Sequence, residues 1–510
     1  MTQGGDPKAG GFGRVAMKGS VLNSLQWVMN KAVTAVAMLV IAKLLRKEDY
    51  GVGTQALAIF QFLAVFLPLS VGDILIAHPK RFDLLAASAR RLAWILGWTA
   101  ACIVLLGIPV VLRLYDRPEL SPAWLAGLLA VLAIRPLMEA RLMLPLSLMR
   151  LQLRYPRIAA IDGLLQFAAT ILSVVMAVFG GRGGSLVVPQ VVGVAARQAW
   201  YGCEAPATSI APVHGRLVVF LFRAFAKVAS AQYLHNVLVM LEILVLGYLC
   251  GDAEAGIFGL AFRLAIQSNG VIAFQLGLVL QPIFGHLQDD PDRQVAGFLK
   301  AQRVLGAVCV PICLAQAAIA EPIFRLVFGE AWMQSWQGSV QVFQIVSVAQ
   351  TLYFVTGPSM ACLRAQRRFG TFLAWQAVQL SLSVPVYTFA ASRGGALGVA
   401  VASAVMWGLS SPLVVWMCTW PSTGRQVSAV IGIFLRPWLV ALPIFASLGL
   451  LAKAASSWGL AGDLAVILVG GPLAGLLSCM ALRWTHPDIR EVFDRVWVAA
   501  MARVRRKRPA

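Results

Sequence analysis

Apolar segments of about 20 residues recur along nearly the whole chain, from Val21 to Leu482, and only short gaps separate them. A helix of that length crosses a hydrocarbon core about 30 Å thick. Strands of a membrane barrel would instead alternate apolar and polar residues over about ten positions. Of the 510 residues 59% are hydrophobic and only 13% charged. The sequence therefore predicts an all-α integral membrane protein with about fourteen transmembrane helices. The expected spans are 21–45, 55–77, 92–112, 123–148, 158–179, 185–201, 229–249, 256–281, 304–320, 340–362, 371–390, 396–417, 436–452 and 460–482.

Basic residues alternate between rich and poor gaps, and short loops rich in Lys and Arg mark the cytoplasmic side of a membrane. The head of the chain and the second, fourth and tenth gaps are rich, whereas the first gap, with Lys43, Arg46 and Lys47, is an exception. This pattern predicts a multi-pass protein with both termini in the cytoplasm. The net charge of +21 is dispersed over loops, so nucleic acid is not an expected partner. The basic cluster from Arg503 to Arg508 could bind anionic membrane lipids.

A short repeat relates the two halves of the chain. Gly51 ends the sequence Lys-Glu-Asp-Tyr-Gly, and Gly256, 205 residues later, ends Asp-Ala-Glu-Ala-Gly, so each glycine follows an acidic residue by two positions. An even number of helices between the copies makes the repeat parallel and predicts two pseudo-symmetric lobes. The expected divisions are a disordered cytoplasmic N-terminus (1–20), an N-lobe of helices 1–6 (21–202), a cytoplasmic linker and interfacial segment (203–228), a C-lobe of helices 7–12 (229–417), helices 13–14 (418–482) and a basic cytoplasmic tail (483–510).

Three stretches give the chain a family resemblance: AKLLRKEDYGVGTQAL from Ala42, LEILVLGYLCGDAEAGIFGLAFRLA from Leu241, and EPIFRLVFGEAWMQSW from Glu321. Here the chain resembles the Wzx-type polysaccharide transport branch of the multidrug, oligosaccharidyl-lipid and polysaccharide flippase superfamily. The resemblance implies two helical lobes around a central cavity, located in the bacterial inner membrane. It also implies outward flipping of polyprenyl-diphosphate-linked oligosaccharides for lipopolysaccharide or exopolysaccharide biosynthesis. In that family an Asp commonly stands where this chain has Glu242.

Ionisable residues inside the spans are independent functional pointers, because each costs about 2.5–3.5 kcal/mol to insert. Two acids, Glu139 and Glu242, face a larger set of bases: Lys31, Arg135, Arg141, Arg197, Lys227 and Arg263. The excess of bases predicts a wet cationic cavity or an anionic ligand. A diphosphate suits both Arg and Lys.

The expected substrate-binding residues of this cavity are Lys31, Arg263, Asn23, Asn30, Gln232 and Gln267. Helical spacing places the first-helix members on one broad face, and Arg263 and Gln267, four apart, on another. Hydrogen bonding between helices is the alternative use of the amides. Arg135 and Glu139, also four apart, are expected to pair with each other. Glu242, His235, Arg135 and Glu139 are therefore assigned a coupling or a structural role.

Two other functions are compatible with parts of the sequence. A cation-coupled drug antiporter of the same superfamily would need more buried carboxylates and about twelve helices. A membrane glycan polymerase, ligase or acyltransferase would need a larger outer loop or a clustered His/Asp site. We find no nucleotide-binding or metal-binding motif, so we expect no enzyme activity, no cofactor and no metal. Transport would then depend on an ion gradient with a coupling cation, on the membrane potential or on downstream consumption.

Overall fold

The computed structural model describes residues 33–64, 68–76, 81–115, 122–152, 154–204, 212–269, 289–366, 368–422 and 427–485, with single residues at 273, 280, 284, 287 and 490. The expected disordered N-terminus (1–20) and most of the basic tail (483–510) lie outside these residues. The described residues form helices and connecting turns and contain no strand. By its internal contacts the chain divides into two compact units, Met1–Gly256 and Ile257–Ala510.

The first unit contains nine helices within the described residues, and a tenth crosses the division. Their bounds are α1 (Val33–Leu44), α2 (Lys47–Leu63), α3 (Ser70–Ile76), α4 (Phe82–Leu114), α5 (Pro122–Ala133), α6 (Arg135–Leu151), α7 (Tyr155–Val178), α8 (Gly184–Glu204), α9 (Gly215–Leu249) and α10 (Asp252–Asn269). Helix α4 packs on α6, α7 packs on α8, and α9 packs on α2, α3 and α4.

Small side chains explain the close packing of α4. Ala86, Ala89 and Ala93 are buried on one face, where they let neighbouring helices approach closely. Leu106 and Val110 on the same helix are exposed, as expected of a helix that faces lipid. On this helix, small side chains are buried where another helix packs against them, and large apolar side chains stay exposed where they would face lipid.

The second unit is built around α11 (Pro291–Ala318). The helices that follow it are α12 (Ala320–Phe328), α13 (Glu330–Ser335), α14 (Ser339–Tyr353), α15 (Thr356–Ala365), α16 (Phe369–Cys418), α17 (Val427–Ala455), α18 (Gly459–Ala465) and α19 (Gly471–Thr485). A short 3-10 turn (Ser456–Trp458) precedes α18, and a π-helical turn (Val466–Gly470) precedes α19. Helix α11 packs on α14 and α17, and α14 packs on α16.

The long helix α16 contains two of the expected spans. Its backbone leaves helical geometry at Gly394 and at Gly395, where φ is +52° and ψ is −138°. Only glycine adopts that conformation readily. The chain therefore turns here, between the expected spans 371–390 and 396–417.

Seven stretches of the described residues are long and apolar enough to cross a membrane. One of them, Val427–Trp484, contains both of the last two expected spans. The expected all-α multi-pass membrane fold is confirmed, whereas the total of about fourteen helices stays a prediction. The expected linker, 203–228, overlaps the start of α9, which continues without a break past Ala229. The lobe bounds also stay a prediction.

Candidate functional site

Several of the expected cavity residues lie outside the described part of the chain. Asn23, Asn30 and Lys31 precede α1. Gln232 and Lys227 lie on α9, but their side chains are not among those described. The remaining charged and polar groups of the two units are described.

Arg135 and Glu139 lie in contact, as their spacing predicts. Arg135 Nε donates to Glu139 Oε1 at 2.8 Å, and the exposed fractions of the two side chains are 26% and 2%. Pro136 lies in the first turn of α6, directly after the break that separates α5 from α6. The pair brings a positive charge and a buried carboxylate together inside the span Ala123–Leu151.

The expected excess of bases in the first unit is smaller than predicted, because an acid in the fifth span was overlooked; the excess itself stays a prediction. Arg197 Nε on α8 lies 3.3 Å from Asp162 Oδ1 on α7. Arg141 on α6 is exposed and places its guanidinium carbon 5.2 Å from the Trp94 ring centroid. Asp162 is two turns inside α7, within the expected span 158–179, so its position in the sequence could have revealed it. These contacts give Arg197 and Arg141 structural explanations.

Arg263 on α10 differs from these paired bases. It is half-buried and has no hydrogen-bond or ion-pair partner among the described residues. Gln267, one turn further along α10, is also half-buried and lies on the same face. With respect to the described part of the chain, Arg263 thus keeps its capacity to donate to an anion.

His235 and Glu242 are both buried on α9. They are seven residues apart, so they lie on one face of the helix. Glu242 has the carboxylate that the family resemblance leads us to expect, on a longer side chain. Its role in coupling or in structure stays a prediction.

The two repeat glycines lie at a reciprocal contact. A Cβ at Gly51 would overlap the backbone carbonyl of Asp252, and a Cβ at Gly256 would overlap the backbone carbonyl of Lys47. Lys47 and Asp252 are themselves 205 residues apart, as are the glycines. Gln55 Nε2 also donates to Asp252 Oδ1 at 2.6 Å. The repeat therefore marks a symmetric contact at the starts of α2 and α10.

Neutral polar groups hold part of the second unit together. Asn269 Nδ2 donates to the backbone carbonyl of Gln350 at 2.6 Å and to its Oε1 at 3.0 Å. Gln316 Nε2 donates to Ser347 Oγ at 3.0 Å. Cys313 Sγ donates to Asn269 Oδ1 at 3.7 Å, which supports a packing role for this cysteine. Sequence reasoning missed this network, whose only signal was the presence of amides and hydroxyls within apolar segments.

The third family stretch forms an ion-pair cluster. Arg325 on α12 lies 2.8 Å from Glu321 and 3.0 Å from Glu330, measured between nitrogen and carboxylate oxygen. Its Nη1 is also 3.2 Å from Oδ1 of Asp463 on α18, a carboxylate that is 2% exposed. The cluster connects α12 and α13, which lie between α11 and α14, to α18.

An apolar groove of about 180 Å³ lies between α11, α17 and α19. Its lining includes Pro311, Ile312, Phe445, Gly475 and Leu482. Such a surface suits a hydrocarbon chain. Within the described residues no group of three or more His, Cys, Asp or Glu side chains could hold a metal ion.

Comparisons with known proteins agree with this architecture. The profile of a family described as "Polysaccharide biosynthesis protein" matches residues 40–337. The lipopolysaccharide biosynthesis protein WzxC of Escherichia coli (strain K12) is 23% identical over 432 residues, which cover 84% of this chain and 85% of that protein.

Two kinds of solved structure share the fold. The lipid II flippase MurJ, in an inward closed conformation, superposes with a TM-score of 0.70 at 11% identity and covers 92% of this chain and 99% of its own. An inward-facing multidrug resistance MATE family transporter gives a TM-score of 0.62 at 12% identity, with 81% and 98% covered. The chain thus shares its fold with a flippase and with a transporter. The family match and the similarity to WzxC, taken together with this fold, confirm the expectation of a transporter rather than an enzyme.

Proposed function

The chain belongs to the polysaccharide biosynthesis protein family, and we propose that it is a flippase for polyprenyl-diphosphate-linked oligosaccharides. The protein takes the lipid-linked repeat unit from the cytoplasmic side of the membrane. It releases the glycan on the outer side by alternating access of two lobes. The similarity to WzxC, together with the fold shared with the lipid II flippase, supports this substrate class over a drug.

Arg263 is the observation that carries the proposal. A base within an apolar helix is costly unless water or a counter-ion surrounds it. Arg263 is half-buried and has no partner in the described part of the chain. A diphosphate provides several oxygens for a guanidinium, and such charge-assisted bonds are about twice as strong as neutral ones. The same charge would repel the organic cations that a drug antiporter carries.

The other expected substrate contacts, Lys31, Asn23, Asn30, Gln232 and Gln267, belong to the same proposal. They would supplement Arg263 with donors and acceptors for sugar hydroxyls. The apolar groove between α11, α17 and α19 supports a place for the polyprenyl chain, because its lining would contact hydrocarbon without unpaired polar groups.

The remaining features of the proposal concern orientation and energy. The protein lies in the bacterial inner membrane with both termini in the cytoplasm, and its lobes comprise residues 21–202 and 229–417. The expected energy source is an ion gradient, the membrane potential or consumption of the product. If a cation is coupled, Glu242 and Glu139 are the carboxylates that we expect to respond to it.

A deletion strain tests the function. It should accumulate lipid-linked repeat units on the cytoplasmic face, and Arg263→Ala should reproduce part of that defect. Arg393→Ala is the matched control, because Arg393 is exposed and stacks on Phe389 in the turn of α16. Normal glycan export in the deletion strain, with no redundant transporter present, would contradict the assignment.

A further inference from the structure

Arg135 lies near the middle of a membrane span. In the span Ala123–Leu151 it is 12 residues from one end and 16 from the other, or about 18 and 24 Å at about 1.5 Å per residue. Its side chain nevertheless keeps 26% of its surface exposed. A guanidinium exposed at this depth requires water or an anionic ligand.

Among the described residues, the close contact to the Arg135 guanidinium is made at Nε. Its Nε is bonded to Glu139 Oε1, and Nη1 makes a long contact of 3.4 Å with Gln190 Oε1 on α8. Its Nη2 has no hydrogen-bond partner among the described residues. The guanidinium carbon lies 5.6 Å from the ring centroid of Phe60, which is buried on α2. The ring and the Glu139 carboxylate therefore fix the group from two sides.

Glu139 orients the guanidinium without using the edge that recognises phosphate. The paired terminal amines of Arg match two oxygens of a phosphate. A carboxylate that accepted hydrogen bonds from both terminal amines would prevent them from binding phosphate. The Glu139 carboxylate accepts from Nε instead. Glu139 is 2% exposed, and its Oε2 has no hydrogen-bond partner within the described residues. Arg135 is thus the described ion-pair partner of Glu139.

We propose that Arg135 binds a phosphate of the transported lipid and that Glu139 is its positioning residue. This inference rests on the proposed function and names a phosphate contact within the first unit, in addition to the contact proposed for Arg263. A bilayer phospholipid also provides phosphate, but its headgroup stays at the membrane surface, about 15 Å from the midplane. The depth of Arg135 selects a diphosphate that enters the protein.

Binding of farnesyl diphosphate to the full-length protein tests the proposal. The protein is placed in phosphatidylcholine nanodiscs, and the Kd is measured by calorimetry with and without phosphatidylglycerol in the disc. Arg135→Gln alone would leave the Glu139 carboxylate buried without a counter-ion, so the key variant is R135Q/E139Q, which removes both charges together. Arg141→Gln is the matched control, because Arg141 is an exposed base on the same helix.

We expect R135Q/E139Q to weaken binding by about tenfold or more, the loss due to a bond with a charged group. R141Q should bind as the unaltered protein does. Glu139→Ala should weaken binding because the guanidinium loses its orientation. Glu139→Gln should restore it, because the amide oxygen still accepts from Nε. A merely structural pair would give no such rescue.

Three results would overturn the inference: unchanged binding by R135Q/E139Q, equal weakening by R141Q, or loss of diphosphate binding when phosphatidylglycerol is added. The export assay separates this inference from the function. If the deletion strain fails to export glycan and R135Q/E139Q restores export fully, the flippase assignment stands and the role of Arg135 is wrong. If the deletion strain exports normally, the function itself is wrong.

Discussion

At Arg325, one guanidinium serves three carboxylates of different exposure. Glu321 and Glu330 are exposed enough to interact with water, but Asp463 is 2% exposed and has Arg325 as its described ion-pair partner. Among the described ion pairs, the one with Arg325 therefore offsets the cost of removing the Asp463 carboxylate from water. Surface pairs contribute little to stability, whereas loss of one member of a buried pair is costly.

Arg325→Gln should accordingly destabilise the protein. We expect a loss of about 2–3 kcal/mol, below the full cost of breaking a buried pair because Arg325 is itself 20% exposed. The measurement is the thermal unfolding midpoint of the purified protein in detergent. R325Q/D463N should recover most of the loss because no buried charge remains. An equal loss in the single and double variants would show that the Arg325–Asp463 contact is not the cause.

Helices α2 and α10 illustrate how an element is fitted to its neighbour. Each begins with a polar residue and carries a glycine four positions later, and each glycine lies against the first carbonyl of the other helix. A backbone carbonyl cannot rotate away as a flexible side chain can. Any side chain at Gly51 or Gly256 must therefore separate the two helix starts.

Gly256→Ala should lower the free energy of unfolding by about 1–3 kcal/mol, the usual cost of overpacking. Gly51→Ala should do the same, and the double variant should lose less than the sum, because one separation makes room for both methyl groups. Gly127→Ala on α5 is the matched control, since its Cβ would meet no atom within 4 Å. Thermal unfolding of the four variants gives the comparison. Strict additivity would contradict a shared contact.

Over the whole molecule, charge meets two separate requirements. Basic residues in the gaps are expected to specify orientation, and the small number inside helices need a partner or a ligand. In the first unit, Arg135 and Arg197 have carboxylate partners. Part of the second unit is joined by amides and hydroxyls instead, as at Asn269 and Gln350. Mutations of loop charges should therefore affect orientation, and mutations of charges inside helices should separately affect the contacts within each unit.

The orientation can be tested with single cysteines. Cys102 and Cys203 are exposed and are first replaced by serine. Arg113→Cys should react with a membrane-impermeant maleimide in intact spheroplasts, because its gap is expected outside. Arg154→Cys should react only after permeabilisation. The reverse pattern would invert the topology, and labelling of both positions in intact cells would contradict the expected span between them.

Much of the fold followed from local properties. Segment length, apolar content and loop charge predicted a multi-pass helical protein, and the Gly51/Gly256 repeat identified positions that prove to be in contact. The spacing of Arg135 and Glu139 also predicted their ion pair. These features depend on helix geometry and on the cost of polar groups in hydrocarbon, which a sequence displays directly.

The sequence did not show which side chains from different helices would pair with each other. The sequence indicated that Arg197 needed surroundings suited to charge, but only packing of α8 on α7 brings it to Asp162. The same is true of Asn269 with Gln350 and of Arg325 with Asp463. By itself the sequence determined that helices span the membrane and which residues are costly there. The tertiary structure decided which of those costs are met within the protein, because such contacts depend on the relative placement of helices and not on spacing along one of them.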